Sequence, residues 1–260
     1  MEAFLAQSQE RFLVFLLILA RVGAIFVFSP LFGSRSVPAQ VKAGLSLIVA
    51  ALLALSLRLS PPQVVTGLGL LLAVGGEVLI GIAVGYVGTL LFEAVQLSGE
   101  IVGLQMGFGI VNVIDPLTSA QVSLIGQFKF LMAVLLFLAL SGHRVIVEAM
   151  GRSFEIIPPG GMVFETALGQ HFIGMFGQML VVSVKLAAPV LVALLLASFA
   201  EGIIARTVPQ INIFIVGFGI RIAFGLFVLM LSIGFFVLVM TKQFSQLPIY
   251  LQEIFQYLAP

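Results

Sequence analysis

Cysteine and tryptophan are both absent from the 260 residues, and tyrosine occurs three times. Without cysteine there is no disulfide, no thiolate metal site and no thiol nucleophile. Charge is scarce too: Lys, Arg, Asp and Glu make up 9% of the chain and the net charge is +1, whereas a soluble domain carries about 25% charged residues. Twelve basic and eleven acidic side chains cannot cover a water-exposed surface of this size, which excludes a soluble enzyme and a disordered chain. A nucleic-acid binder is excluded because no basic excess is present to hold phosphates. Only Tyr86, Tyr250 and Tyr257 are there to form the aromatic belt that normally marks the headgroup level of a membrane protein. A belt this weak points to a surface that faces protein more than lipid.

What is present is apolar. Hydrophobic residues make up 61% of the chain and mean hydropathy is +1.23, the composition of a polytopic membrane protein. About 20 apolar residues cross ~30 Å of hydrocarbon as a helix. Six stretches are candidates, 12–32, 37–59, 64–92, 128–140, 172–200 and 211–240, of which the fourth is short. Backbone amides inside lipid must be paired within the segment, so these runs are expected to be helices. The expected fold is all-α, with about six long hydrophobic segments and one domain over 1–260. The opening residues carry Glu2 and Glu10 and no basic cluster, unlike a secretory signal, so the first apolar segment is expected to stay attached.

The third run is too long. Its apolar character continues from Val64 to Ile114, about 75 Å if wholly helical. Either the chain turns within the apolar zone or the helix leaves the bilayer and is covered by partners. Polar breaks fall at 33–38, 59–63, 115–127, 141–170 and 201–210, and Pro158-Pro159-Gly160-Gly161 marks a turn. Read as loop charges, Arg11, Arg58, Arg144, Arg152 and Lys242 on one side nearly balance Arg35, Lys42, Lys129 and Arg206 on the other. Orientation by loop charge is therefore undetermined, which agrees with placement by assembly.

Six charges lie in or beside apolar runs: Arg21, Glu77, Glu93, Glu100, Lys185 and Arg221. Each costs about 2.5–3.5 kcal/mol at a bilayer centre, so they must be paired across helices or subunits, or wetted along an ion path. Glu77 and Glu93 are too far apart in sequence to form an obvious relay. Gly99, Gly103 and Gly107 recur on one helix face, with a shorter version at Gly81 and Gly85; such faces let helix backbones approach closely. Gly107 and Gly109 are poor helix formers, so the helix is expected to end near Met106–Gly107, followed by an apolar loop over 108–116. A loop so apolar must be buried or must occlude something. Phe108, Ile110, Val111, Val113 and Ile114, with Met106 beside them, are candidates for a water-excluding constriction. Gly107 and Gly109 would supply the bend. Glu201 and Arg206 are slightly off same-face spacing, and Pro209 should end the helix before it, so Arg206, Pro209 and Gln210 are expected to shape a tight turn between two membrane helices.

Catalytic chemistry finds little support. Asp115 is the sole aspartate, which excludes an intramembrane aspartyl dyad. His143, expected in a loop after Ser141-Gly142, and His171 are the only imidazoles. No H-E-x-x-H, G-x-S-x-G or phosphate-cradling glycine loop occurs. No enzyme activity, cofactor or metal is expected.

Four ordered segments resemble one family: RVGAIFVFSPLFGSRSVPAQVKAGL (21–45), GEIVGLQMGFGIVNVIDP (99–116), SGHRVIVEAMGRSFEIIPPG (141–160) and RTVPQINIFIVGFGIRI (206–222). Across nearly its whole length the chain resembles the FliR/SctT family of type III secretion export-gate subunits, the flagellar branch more closely than the virulence branch. The resemblance implies a subunit that closes a helical assembly of FliP and FliQ, with FlhB bound around it, in the bacterial inner membrane at the flagellar basal body. It implies passage of unfolded flagellar proteins, energised by proton-motive force and an associated ATPase. The family's loop after G-L-Q-M-G plugs the channel, which here maps onto 107–116. Family members carry aromatic residues in that plug, whereas this chain has Ile110 and Val113, with Phe108 displaced. Two other classes stay open on the residues alone. One is a secondary transporter with a broken third helix, which should show internal two-fold repetition, and none is visible. The other is a scaffold in which the apolar loop has no gating role.

Overall fold

The computed structural model describes residues 2–30, 32–34, 37–57, 67–108, 123–163, 167–208, 210 and 213–259. Among them the regular structure is helical: α1 (Glu2–Phe28), α2 (Ala39–Ser56), α3 (Gly67–Met106), α4 (Leu124–Ala139), α5 (Gly142–Ile156), α6 (Ala167–Thr207), α7 (Ile213–Leu231), α8 (Ile233–Ser245) and α9 (Leu247–Leu258). Four helices are long and apolar enough to cross a membrane, and up to six spans result if the broken pairs α4–α5 and α7–α9 each count as one. The all-α polytopic expectation agrees with this.

The described residues divide into two compact units: residues 1–90, 141–175 and 245–260, and residues 91–140 and 176–244. In the first unit, α1 buries Leu17, Ile18, Arg21, Val22 and Ile25, a stripe at helical spacing. α2 packs against α1 through a narrow face containing Ser46 and Ala50, while Leu47, Ile48, Leu52 and Leu55 point outward. Its start is tied down by Lys42, whose Nζ donates to the Gly33 carbonyl at 3.0 Å.

The other face of α1 meets a glycine stripe on α3. A Cβ on Gly81 would strike the Arg21 carbonyl and Ala24; one on Gly85 would strike Phe28; one on Gly88 would touch Pro30. The paired numbers rise together, so the two helices run in the same direction. Their close approach lets Thr89 Oγ1 donate to the Phe28 carbonyl at 2.6 Å.

In the second unit, the last part of α3 packs with α4, α6 and α7. Val102, Met106, Ile125, Ala187, Val190, Leu194 and Leu229 form its core. Phe92, Phe130, Phe137 and Phe244 form a second cluster, with ring centroids 5.2 to 5.6 Å apart in the tilted and edge-on arrangements that aromatic quadrupoles favour.

Several polar breaks expected from the sequence are helix instead. The 141–170 segment contains α5, so His143 lies in a first helical turn rather than a loop. Buried Ile146, Ala149, Met150, Ser153 and Phe154 give α5 an apolar stripe with polar residues between, a pattern that counting apolar runs misses. α6 continues through Pro189 and Glu201 to Thr207, so only the last few residues of 201–210 form the break. Conversely, the run 211–240 is interrupted at Ser232, whose Oγ donates to the Leu229 carbonyl at 2.8 Å. The loop-charge count also needs correction: Arg11, Lys42, Lys129, Arg144, Arg152, Arg206 and Lys242 all lie within helices. Proline 158 to glycine 161 do form a turn, closed by Gly161 N–H donating to the Pro158 carbonyl at 2.9 Å, with Gly160 at φ 77. Proline at the second position and a left-handed glycine at the third make it type II.

Candidate functional site at the end of α3 and at the buried charges

α3 ends in a Schellman motif. Gly107 N–H donates to the Leu104 carbonyl and Phe108 N–H to the Gly103 carbonyl, both at 3.0 Å. The left-handed residue these bonds require is Gly107, at φ 96. Space dictates glycine as well, because a Cβ there would lie 2.8 Å from the Phe218 ring. Met106 is fully buried and Phe108 packs against the same core. A Cβ on Gly225 of α7 would come within 2.6 Å of Met106, so that glycine leaves room for the methionine. The start of the candidate plug is thus anchored to a packed core. Gly109, Ile110, Val111, Val113 and Ile114 lie outside the described residues.

Upstream on the same helix, Gly99 faces the backbone of Gly126 on α4, and Gly103 faces Ser123 Oγ. Ser123 caps α4: its Oγ accepts from Gly126 N–H and donates to the Gly99 carbonyl, each at 3.2 Å. The close approach therefore carries a polar clasp between α3 and α4.

The buried charges have distinct environments. Arg21 Nε donates to Glu77 at 2.5 Å, Nη1 to the Ser153 carbonyl at 2.8 Å and Nη2 to the Ile157 carbonyl at 3.0 Å. Its guanidinium also lies over the Phe154 ring. Arg21 therefore caps the C-terminal end of α5, where free carbonyls and the helix dipole favour a cation. The second Glu77 oxygen accepts from Gly160 N–H at 2.8 Å, which ties in the Pro-Pro-Gly-Gly turn. Arg221 pairs with Glu201 at 2.5 Å across α6 and α7. Arg206 and Gln210 are exposed, and Pro209 lies outside the described residues. Glu93 and Lys185 are exposed and Glu100 half-buried. Glu93 and Glu100 share the outward face of α3, two turns apart.

Lys129 is the buried charge that sequence reasoning missed. It sits on α4 with 4% exposure, and its Nζ donates to Ser98 Oγ and to the Leu186 carbonyl, each at 3.2 Å. Its position at the edge of an apolar run, between Phe128 and Phe130, made it resemble a loop charge.

The family model described as bacterial export proteins, family 1, matches residues 12–247. The chain belongs to this family. The match runs from within α1 to the end of α8 and takes in Arg21, Glu77, Lys129, Glu201, Arg221 and the glycines of α3. This member of the bacterial export proteins, family 1, is 36% identical over 243 residues to flagellar biosynthetic protein FliR of Bacillus subtilis (strain 168), covering 91% of this chain and 92% of the relative. It is 33% identical over 211 residues to flagellar biosynthetic protein FliR of Escherichia coli (strain K12), covering 80% and 79%. With flagellar biosynthetic protein FliR of Aquifex aeolicus (strain VF5) the identity is 28% over 240 residues, covering 92% of each.

Proposed function

We propose that the chain is a non-enzymatic subunit of the flagellar protein export gate, forming with FliP and FliQ the channel through which unfolded flagellar proteins cross the bacterial inner membrane at the basal body, with FlhB bound around it. The family and its flagellar relatives support the setting. One observation supports the assembly: α6 has 41 residues and exposes large apolar side chains from Ile173 and Phe176 at one end to Phe199 and Ile203 at the other. Such a helix is about 62 Å long. Fitting it within ~30 Å of hydrocarbon demands a tilt of about 60°, beyond the 0–40° that membrane helices adopt. Wherever the bilayer lies, part of that apolar face stands outside lipid and needs protein to cover it. α3, with 40 residues and exposed Leu68, Leu71, Leu72 and Leu104, poses the same demand.

In this reading 107–116 is the plug, held at its start by buried Met106 and left-handed Gly107, with Phe108, Ile110, Val111, Val113 and Ile114 as the apolar seal. Affinity purification of the tagged chain from flagellated cells is expected to bring down FliP and FliQ. Recovery of the chain alone, monodisperse and in full yield, overturns the assembly. Replacing 109–116 with a Gly/Ser linker is expected to preserve that complex and raise ion leakage across the membrane; an intact complex with unchanged conductance removes the plug.

A further inference from the structure

α6 carries Pro189 in its interior. Proline has no N–H, so the Lys185 carbonyl one turn earlier loses its helical donor, and the ring crowds that carbonyl. Such sites are where helices kink, and inside a membrane protein the loosened backbone must be satisfied by neighbours. The freed carbonyl has a tether beside it: the carbonyl of Leu186, one residue further on and itself opposite the Val190 N–H, accepts an additional bond from Lys129 Nζ at 3.2 Å. Lys129 is 4% exposed, and among the described residues no carboxylate pairs with it. Its remaining partner, Ser98 Oγ, is itself fixed by donating to the Val95 carbonyl at 2.7 Å. A buried amine held only by a hydroxyl and a helix carbonyl next to the proline site is an expensive way to fill space. What it gains is a tie from α3 and α4 to the proline site of α6. A second weak point lies a turn and a half earlier, where buried Ser183 donates back to the Leu180 carbonyl at 2.7 Å, a contact that bends helices.

We infer that Pro189 is a hinge in α6 and that Lys129 is its latch, holding the helix in one geometry while Nζ is bound to the Leu186 carbonyl and freeing it when that bond breaks. The inference concerns the geometry of one helix and stands or falls apart from the identity of the export partners.

The absence of cysteine makes the test direct. Cysteines placed at Gly177 and Phe199, where a Cβ meets open space or the side chain is exposed, put spin labels about 33 Å apart along α6. Pulsed electron resonance on the full-length chain in lipid nanodiscs is expected to give one narrow distance distribution. Lys129→Met should broaden it roughly twofold, because the hinge loses its latch. Ser98→Ala, which removes the second support of Nζ, should broaden it less. Pro189→Ala restores the helix bond to Lys185 and should narrow the distribution again in the Lys129→Met background. Broadening that survives Pro189→Ala overturns the hinge, and Lys129→Met as narrow as the native chain overturns the latch. If Lys129→Met fails to accumulate, Ser98→Ala decides, and an unchanged width there also rejects the latch.

Discussion

Arg21 on α1 and Glu77 on α3 meet at 2.5 Å with neither side chain accessible to solvent. The guanidinium spends its other donors on carbonyls at the end of α5, and the carboxylate accepts from the turn that follows. One ion pair thus joins two parallel helices, the end of a third and a reverse turn.

Removing either partner should be far worse than removing both. Arg21→Met leaves a buried carboxylate without its counter-charge, a loss of about 3–5 kcal/mol. Glu77→Leu strands the guanidinium in the same way. The double substitution trades a desolvated pair for apolar packing and should recover much of the loss, falling short because the carbonyls of Ser153 and Ile157 lose their donor. Thermal unfolding of the detergent-solubilised protein measures all three. A double variant as unstable as the sum of the singles contradicts the paired account.

Gly99 and Gly126 face each other across α3 and α4, yet they should respond differently to alanine. A Cβ on Gly99 runs into the Gly126 backbone, which moves only if a helix moves. A Cβ on Gly126 meets the Gln96 amide at 3.1 Å, the far end of a side chain that can swing away. Gly99→Ala should therefore cost about 1–3 kcal/mol by overpacking, and Gly126→Ala distinctly less. Comparison of melting temperatures and of folded yield decides it, and equal effects would mean that the contact is looser than it looks.

At Gly107 the demand is double: a left-handed φ of 96 and the ring of Phe218 within 2.8 Å of a Cβ. Gly107→Ala should destabilise the end of α3 by about 1–3 kcal/mol. Phe218→Ala introduced alongside relieves the clash and leaves the backbone strain, so it should rescue the defect only in part. Hydrogen exchange at the Phe108 amide, which bonds to the Gly103 carbonyl, reports the fraying directly. Full rescue by Phe218→Ala would show that the backbone angle carries no cost.

Much of this architecture was legible in the residues. Long apolar runs placed α1, α2, α3 and α6, because in lipid a helix is the only way to satisfy an isolated run of amides. Gly107 marked the end of α3 and Pro159-Gly160 the turn, since each supplies a dihedral that other residues resist. α5 escaped notice because Arg144, Glu148, Arg152 and Glu155 dilute its hydropathy while its apolar face keeps helical period. The partner of Arg221 was also hidden. Sequence spacing sets Glu201 against Arg206 on its own helix, whereas the pair forms between α6 and α7, and tertiary pairing leaves no local spacing to read. Lys129 was invisible for a related reason: its acceptors, Ser98 and the Leu186 carbonyl, are 31 and 57 residues away.

The Glu201–Arg221 pair is lopsided, and its two halves should not be equally replaceable. Arg221 Nε and Nη2 both donate to Oε2, at 2.9 and 2.5 Å, while Oε1 is buried without a partner among the described residues. The Glu201 side chain is 10% exposed and that of Arg221 38%. Losing the carboxylate leaves an arginine whose long, 38% exposed side chain can turn its head outward, so Glu201→Ala should cost less than the converse change. Losing the arginine leaves a desolvated carboxylate, so Arg221→Ala should cost about 1–3 kcal/mol. Gly217 offers an independent check, because its missing Cβ would lie 3.2 Å from the carboxylate carbon. Gly217→Ala should push that group off its bond, destabilising the native chain but costing little where Glu201 is already alanine. A double-mutant cycle on melting temperature reads this coupling, and additive losses would separate Gly217 from the ion pair.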